Sequence, residues 1–313
     1  MQLNLHRLWI FMQVVECGGF SAAAQKLYMS QPSVSNQVRQ LERSLHATLI
    51  DRSGARIRPT AEGDVLMEYA RRVFLLADEA VSAIQQVSGL KTGRLVVGGT
   101  TTVGTYLLPQ LLAGFRREHP GVECDIYVGN AVQVMKHLVD GEIGLAVFAG
   151  KPTATQLVMV PILSERLVLV TAPDHPLAGK TVAPAELAEE RFLLRERGSS
   201  TRDEAEEALD QWDLVTVQRS EMWGPETLKQ SVSAGLGVAL ISEHAVQHEL
   251  RDGRLGTIEV EPALPSRPIV VAQRRDRLLS PAERTFVEQL TKVKNWPDPA
   301  SGHPGAEQGI RAR

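Results

Sequence analysis

Two runs of small hydroxyl side chains have the types and spacing to do chemistry: Thr100-Thr101-Thr102 and Ser199-Ser200-Thr201. Each follows an apolar, strand-like segment (RLVVGG and FLLR) and precedes a helix-like one. Hydroxyls in that place, together with the N–H groups that open a helix, meet the positive end of its dipole and can hold a small anion. Arg202 adds a cation beside the second run. Ordinary helix capping explains either run singly; their equivalent positions in two similar stretches of chain raise one shared anion site beside that reading.

A third group of polar residues lies near the start. Ser30 is a cap candidate, and Pro32 falls in the first turn of the helix that follows, where a missing N–H costs nothing. Val34, Val38, Leu41 and Leu45 form its apolar stripe. The other face carries Pro32, Ser35, Asn36, Arg39 and Arg43, flanked by Gln31, Ser33, Gln37 and Gln40. Such a face is either plainly solvated or suited to hydrogen bonding base edges and phosphates in a DNA major groove. The next segment, LIDRSGARIRPT, sets Gly54 between two short extended pieces with Arg52, Arg56 and Arg58 around it, a basic two-stranded wing that can reach the DNA backbone or minor groove.

Enzymatic chemistry finds no foothold. Ser199 and Ser200 have no GxSxG context; His244 and His248 stand at i, i+4, but HAVQH lacks the central glutamate of a zinc-protease helix and reads as surface. GGTTTVG has no phosphate-loop lysine, and no GxGxxG occurs. Neither an enzyme, nor a cofactor, nor a metal site is expected. Cys17 and Cys124 read as small buried hydrophobes.

Positioning these groups requires several elements. Leu5, Leu8, Met12 and Val15 make an amphipathic helix ending at Gly18-Gly19; Phe20 is expected as a staple and Ser21 as cap of a short alanine-rich helix, with Tyr28-Met29 as the break before the next. Beyond the wing, Thr60 caps a long helix whose Leu66, Tyr69, Val73, Leu76, Ala80, Ala83 and Val87 repeat at gaps of three and four until Gly89. A helix of about 28 residues spans roughly 40 Å. Its stripe could be core, but its place between a polar reader and a separate body favours a dimer seam. The remainder alternates Val/Leu/Ile strands with helices, in two similar α/β lobes with chain crossing between them, which implies a cleft and a hinge.

Composition agrees. The 313 residues are 43% apolar and 23% charged, which suits a folded chain of two or three units. The net charge of -3 is unevenly spread: residues 1–60 hold seven Lys/Arg against three acids, a net of +4, leaving -7 for the rest. A basic module on an acidic body fits a nucleic-acid reader. No apolar run approaches the roughly 20 residues of a membrane span and the first residues carry no signal-peptide pattern, so a cytoplasmic protein without membrane partners is expected.

The stretch FMQVVECGGFSAAAQKLYMSQPSVSNQVRQLERSLHATLIDRSGARIRPTAEG resembles the N-terminal signature of the LysR-type transcriptional regulators, from Leu5 to about Gly63. The resemblance implies that Ser21 to Ala24 open the first helix of a winged helix-turn-helix motif, that Gln31, Pro32, Ser33 and Ser35 begin the recognition helix, and that Arg52 and Arg56 belong to the wing. Ile50 and Pro59 depart from the usual Phe and Leu. The body resembles, less tightly, the effector-binding domain of that family, similar to periplasmic binding proteins. It implies a DNA-binding domain at 1–60, a linker helix at 61–89, lobe I at 93–163 plus 267–295, lobe II at 164–266 and a flexible tail at 296–313. Thr101, Thr102 and Thr201 become effector contacts and the segment around Phe148 a cleft wall. Trp223 stands where a small residue is usual, and would narrow the cleft, stack on the effector or fill a gap beneath a loop. Implied partners are double-stranded DNA with pseudo-palindromic sites, a small anionic metabolite, RNA polymerase and further copies of the chain, as dimer or tetramer.

Overall fold

The computed structural model describes residues 3–52, 57–86, 93–150 and 152–296. The chain divides into two compact units, Met1–Ser82 with Asp140–Glu142, and Ala83–Val139 with Ile143–Arg313.

In the first unit, α1 (Leu5–Glu16) starts at Asn4, whose side chain accepts the Arg7 N–H. Helix α2 (Phe20–Lys26) begins two residues earlier than expected. Gly19 is its cap, Ser21 lies exposed inside the first turn, and Phe20 is drawn into the core instead of standing outside as a staple. Tyr28, with a positive φ of 53°, makes the break to α3 (Gln31–Leu45), where Ser30 Oγ accepts the Ser33 N–H at 3.3 Å as the cap pattern requires. Two short antiparallel strands follow, β1 (Ile50–Asp51) and β2 (Arg58–Pro59), then α4 (Ala61–Gln86). Leu8, Phe11, Val14, Phe20, Ala23, Val34, Val38, Leu41 and Leu49 form the core, closed by Met67 and Ala70 of α4.

The start of α4 is locked in place. Thr60 Oγ1 donates to the Thr48 carbonyl at 2.6 Å and accepts the Gly63 N–H at 3.1 Å. Gly63 lies so close to the Leu49 carbonyl that a Cβ would fall 2.1 Å from its oxygen.

Among the described residues the second unit holds two larger sheets and a two-stranded one. The first has β3 (Gly93–Thr100), β4 (Val122–Gly129), β5 (Leu145–Ala149), β6 (Leu157–Glu165) and, from late in the chain, β13 (Arg267–Arg274), in the order β4-β3-β5-β13-β6. Strands β4 and β5 run parallel to β3, while β13 runs antiparallel to β5 and β6. Helices α5 (Leu108–Glu118), α6 (Ala131–Val139) and α10 (Pro281–Leu290) cover it.

The second sheet joins β7 (Leu167–Thr171), β8 (Thr181–Val182), β11 (Ala239–Ser242) and β12 (Gly256–Val260), in the order β11-β7-β12-β8. Strands β9 (Phe192–Arg195) and β10 (Arg219–Met222) pair in parallel beside it. With α7 (Ser200–Gln211), α8 (Pro225–Ser233) and α9 (Gln247–Arg251) they complete lobe II. The chain crosses between lobes where β6 gives way to β7 and again between β12 and β13.

Gly63→Ala is expected to destabilise the first unit by about 1–3 kcal/mol, because neither the Leu49 carbonyl nor the helix start can retreat. Urea unfolding of the full chain measures it; unchanged stability would contradict the close approach.

Candidate functional site

The exposed face of α3 presents Gln31, Pro32, Asn36, Arg39 and Arg43, while Ser33 is half-buried. Ser35 corrects the sequence expectation. It is only 9% exposed and lies on the buried side between Val34 and Val38, where its small size is tolerated. Arg52 is also more constrained than a wing arginine need be. Its Nη2 lies 3.0 Å from Glu42 Oε2 and its guanidinium 5.3 Å from the Phe20 ring centroid. The other Glu42 oxygen accepts the Leu49 N–H at 3.0 Å, so one carboxylate fastens the end of α3 to the root of the wing. Arg58 is exposed; Arg56 lies outside the described residues.

Along α4, Tyr69 and Leu76 are exposed, as is Ala80, whereas Leu66 and Val73 are half-buried, Leu66 against the core of this unit. Val65, Val81 and Ile84 are exposed apolar residues absent from the expected stripe. The Ala83 side chain and Val87 lie outside the described residues, as do 297–313 of the expected tail.

The two hydroxyl runs meet across the lobes of the second unit. Strand β3 delivers Thr100, whose Oγ1 accepts the Ala149 N–H at 3.0 Å and so ties the ends of β3 and β5 together. Thr101 Oγ1 donates to the Gly129 carbonyl at 3.2 Å. Thr102 is buried just before a single π-helical turn, Val103–Leu107. That turn packs tightly enough that a Cβ on Gly99 would sit 2.8 Å from Gly104 Cα. From lobe II, Ser199 caps α7 without a side-chain hydrogen bond of its own, and Ser200 and Thr201 open the helix, whose first N–H groups have no intrahelical acceptor. The six residues, with Asn130, Ala131 and Arg195, enclose a cavity of about 10 Å³, room for about one water-sized group.

Two buried cations adjoin it, and sequence reasoning missed both. Arg195, at the end of β9, forms a two-pronged pair with Glu196 (Nε to Oε2 2.8 Å, Nη2 to Oε1 2.8 Å) and reaches Thr101 Oγ1 at 3.5 Å. Burial alone would raise the Glu196 carboxyl, but hydrogen bonds from Arg195 and the Gly224 N–H hold it below the usual carboxylate range. Arg267 Nε and Nη2 lie 2.8 and 2.7 Å from Glu165 Oε1, while its Nη1 donates to Thr201 Oγ1 at 3.2 Å. Ser242 donates to the other Glu165 oxygen. The visible signal was a charged residue closing the apolar run FLLR and another opening RPIVV.

Three expected contacts do not line the cavity. Phe148 is 1% exposed in the core with Val134, Leu138 and Ile143, because alternation along β5 sends Val147 and Ala149 to the opposite face. Arg202 is committed elsewhere: its Nη1 donates to Glu221 at 2.6 Å and to the Arg195 carbonyl at 3.0 Å, and its Nε to Glu206 at 2.9 Å. Trp223 is 71% exposed and fills no gap beneath the loop. His244 departs from a plain surface residue, stacking on Trp296 with ring centroids 3.8 Å apart. Among the described residues no His/Cys/Asp/Glu cluster could hold a metal, and no helix is long and apolar enough to cross a membrane.

Residues 5–64 match the family model described as "Bacterial regulatory helix-turn-helix protein, lysR family", and residues 88–294 the one described as "LysR substrate binding domain". The chain is 36% identical over 284 residues to the HTH-type transcriptional regulator CfxR of Cupriavidus necator, covering 90% of this chain and 89% of that one. It is 32% identical to the RuBisCO operon transcriptional regulator of Allochromatium vinosum, covering 92% and 95%. Among solved structures, full-length OxyR of Pseudomonas aeruginosa superposes with a TM-score of 0.72 at 24% identity, covering 93% of this chain and 94% of that one. The CcmR regulatory domain of Synechocystis, solved in complex with 2-PG, gives 0.61 at 28% identity over 65% of this chain and all of that one.

Glu165→Gln leaves Arg267 buried without its counter-charge and is expected to cost about 3–5 kcal/mol of stability in denaturant unfolding. Replacing Glu165 and Arg267 together by methionine should recover much of that loss. A single variant as stable as the wild type would show that the pair carries no such burden.

Proposed function

The chain belongs to the LysR family of DNA-binding transcriptional regulators, and on that premise we propose that it controls an operon of carbon fixation in response to a phosphorylated or comparably charged metabolite held between its two lobes. The single observation that carries the effector reading is the cavity lined by Thr100 to Thr102 from one lobe and Ser199 to Thr201 from the other, with Arg195 beside them. Hydroxyls, unpaired N–H groups at the start of α7 and a guanidinium together match the acceptor-rich surface of a small oxyanion. The names of two relatives, a RuBisCO operon regulator and a regulatory domain bound to 2-PG, support the choice of operon and effector class.

On the DNA side, Asn36, Gln31 and Ser33 read base edges from α3, and Arg39, Arg43 and Arg58 hold phosphates. Two copies pair along the exposed apolar residues of α4, notably Tyr69, Leu76 and Ile84, and so present two readers to a pseudo-palindromic site. Pairing of such dimers into a tetramer, contact with RNA polymerase and action in the cytoplasm complete the reading. The effector shifts one lobe against the other, which alters the spacing of the paired readers and the bend of the operator. Regulation, not catalysis, is the activity.

Asn36→Ala should cost about 1–3 kcal/mol on the operator and far less on random DNA, whereas Arg43→Ala should weaken both and reduce the salt slope by about one. Anisotropy titrations over a salt series separate the two; equal losses on both DNAs for Asn36→Ala would remove it from base reading. Thr101→Ala combined with Thr201→Ala should abolish the effector-dependent change in the operator footprint. Retention of that change would place the effector outside the cleft.

A further inference from the structure

The cavity between the lobes lies beside two arginines, yet its fixed side-chain charge is close to zero. Arg195 and Glu196 are 3% and 7% exposed and neutralise each other through two hydrogen bonds. Arg267 and Glu165, 2% and 0% exposed, neutralise each other through one hydrogen bond, Nε to Oε1, and a 2.7 Å charge contact of Nη2 with the same oxygen. Arg202 is held by Glu206 and Glu221, and Arg197, two residues before Ser199, is exposed to solvent. What stays positive is the start of α7, where N–H groups without intrahelical acceptors carry a partial charge.

Arg195, and not Arg267, lines the cavity, and its Nη1 makes no hydrogen bond to the described residues. Its partner Glu196 also accepts the Gly224 N–H at 3.0 Å, so the carboxylate is anchored from its far side and keeps its place on the guanidinium. An anion seeking Arg195 must therefore compete with a carboxylate already in position.

We propose that Glu196 is the specificity-determining residue of this cleft: by masking Arg195 it excludes monocarboxylates and admits only a tetrahedral dianion, a phosphoryl group or sulfate, that can draw the guanidinium away and part the two hydroxyl runs, which in this lobe setting leave only about 10 Å³ between them. This rests on the reading of the cleft as the effector site. A monocarboxylate at Arg195 exchanges one carboxylate for another and leaves Glu196 buried without its cation, a net loss. A phosphoryl group brings about -1.5 to -2 charges at neutral pH and three acceptor oxygens. Its extra charge and third oxygen add interactions with the α7 N–H groups and with Thr101, Ser200 and Thr201 that Glu196 cannot match. Glu196, left without its cation, stays fastened to the Gly224 N–H at the start of α8, so the loss of the pair is felt there.

The test is calorimetric titration of the full chain with inorganic phosphate, sulfate and acetate. Wild type is expected to bind phosphate and sulfate in preference to acetate. Glu196→Gln keeps an oxygen for the Gly224 N–H but removes the negative charge; it should tighten acetate and narrow the phosphate-to-acetate ratio on the order of tenfold, the scale of one charge-assisted hydrogen bond. Arg195→Met alone strands a buried carboxylate and can unfold the lobe, so Arg195→Met is combined with Glu196→Gln. That pair should lose phosphate affinity on the order of tenfold relative to Glu196→Gln alone. An unchanged ratio in Glu196→Gln, undiminished phosphate binding in the double variant, or no binding of either anion by both wild type and Glu196→Gln overturns the proposal. Thr101→Ala with Thr201→Ala separates it from the site reading: loss of binding there, with no effect at Arg195 or Glu196, keeps the cleft and discards the mask.

Discussion

Much of the sensor unit depends on one buried charge pair, Glu165 with Arg267. The two residues face each other at the ends of β6 and β13, where the chain leaves the first sheet and where it returns. An ion pair with almost no access to water is costly to form and survives only if its remaining donors and acceptors are satisfied. The second lobe supplies most of that: Ser242 from the end of β11 binds the Glu165 carboxylate, and Thr201 at the start of α7 receives Arg267 Nη1, leaving Nη2 with its charge contact to Glu165 alone. The same interactions that solvate the pair hold lobe II at a fixed setting against lobe I. Thr201 then faces the Thr100 to Thr102 run closely enough to share one small cavity. Beyond it, the Val132 N–H donates to the Gly198 carbonyl across the lobes, and Lys229 meets Tyr106 Oη at 3.4 Å. A change of lobe setting must repartner all of these at once, which favours discrete states over gradual drift.

The smaller unit solves a different problem, how to fix a polar helix with few residues. Glu42 accepts two N–H groups at the root of the wing and pairs with Arg52, and Thr60 and Gly63 seat α4 against Leu49. Helix α4 serves two surfaces at once. Met67 and Ala70 close the core, while Tyr69, Leu76 and Ile84 stay exposed. The first set is spaced for its own unit and the second stays outside that core, which is why a stripe read only from gaps of three and four mixed the two.

Elements were legible in the sequence where a local rule dictated them. Ser30 with Pro32 starts α3, Thr60 starts α4, and the Val/Leu/Ile runs are strands, because capping and alternation act over a few residues. The hydroxyl runs were legible for the same reason: both sit at strand-to-helix junctions. Side-chain commitments made over long range were not. Ser35 is polar by type but buried by its turn of the helix; Arg202 is a cation already spent on Glu206 and Glu221; Phe148 faces away from the cleft by one step of alternation. Arg195 and Arg267 were missed because a charge at a strand end reads as solvent-facing until the fold buries it against a carboxylate.

The division of charge along the chain then acquires a physical meaning. The reader carries +4 and the remainder -7, so the body's long-range field opposes the approach of any anion. That field is screened within about 8–10 Å at ordinary ionic strength. Inside the cleft, what attracts an anion is short-ranged: helix N–H groups, hydroxyls and a guanidinium balanced by its own carboxylate. These act only on contact and depend little on salt, whereas the arginines of α3 act on a polyanion through released counterions and depend on it strongly. On the proposed reading, one chain recognises two phosphate-like surfaces on opposite electrostatic plans. On that reading the neutrality of the cleft keeps a weak anion from filling it by charge alone.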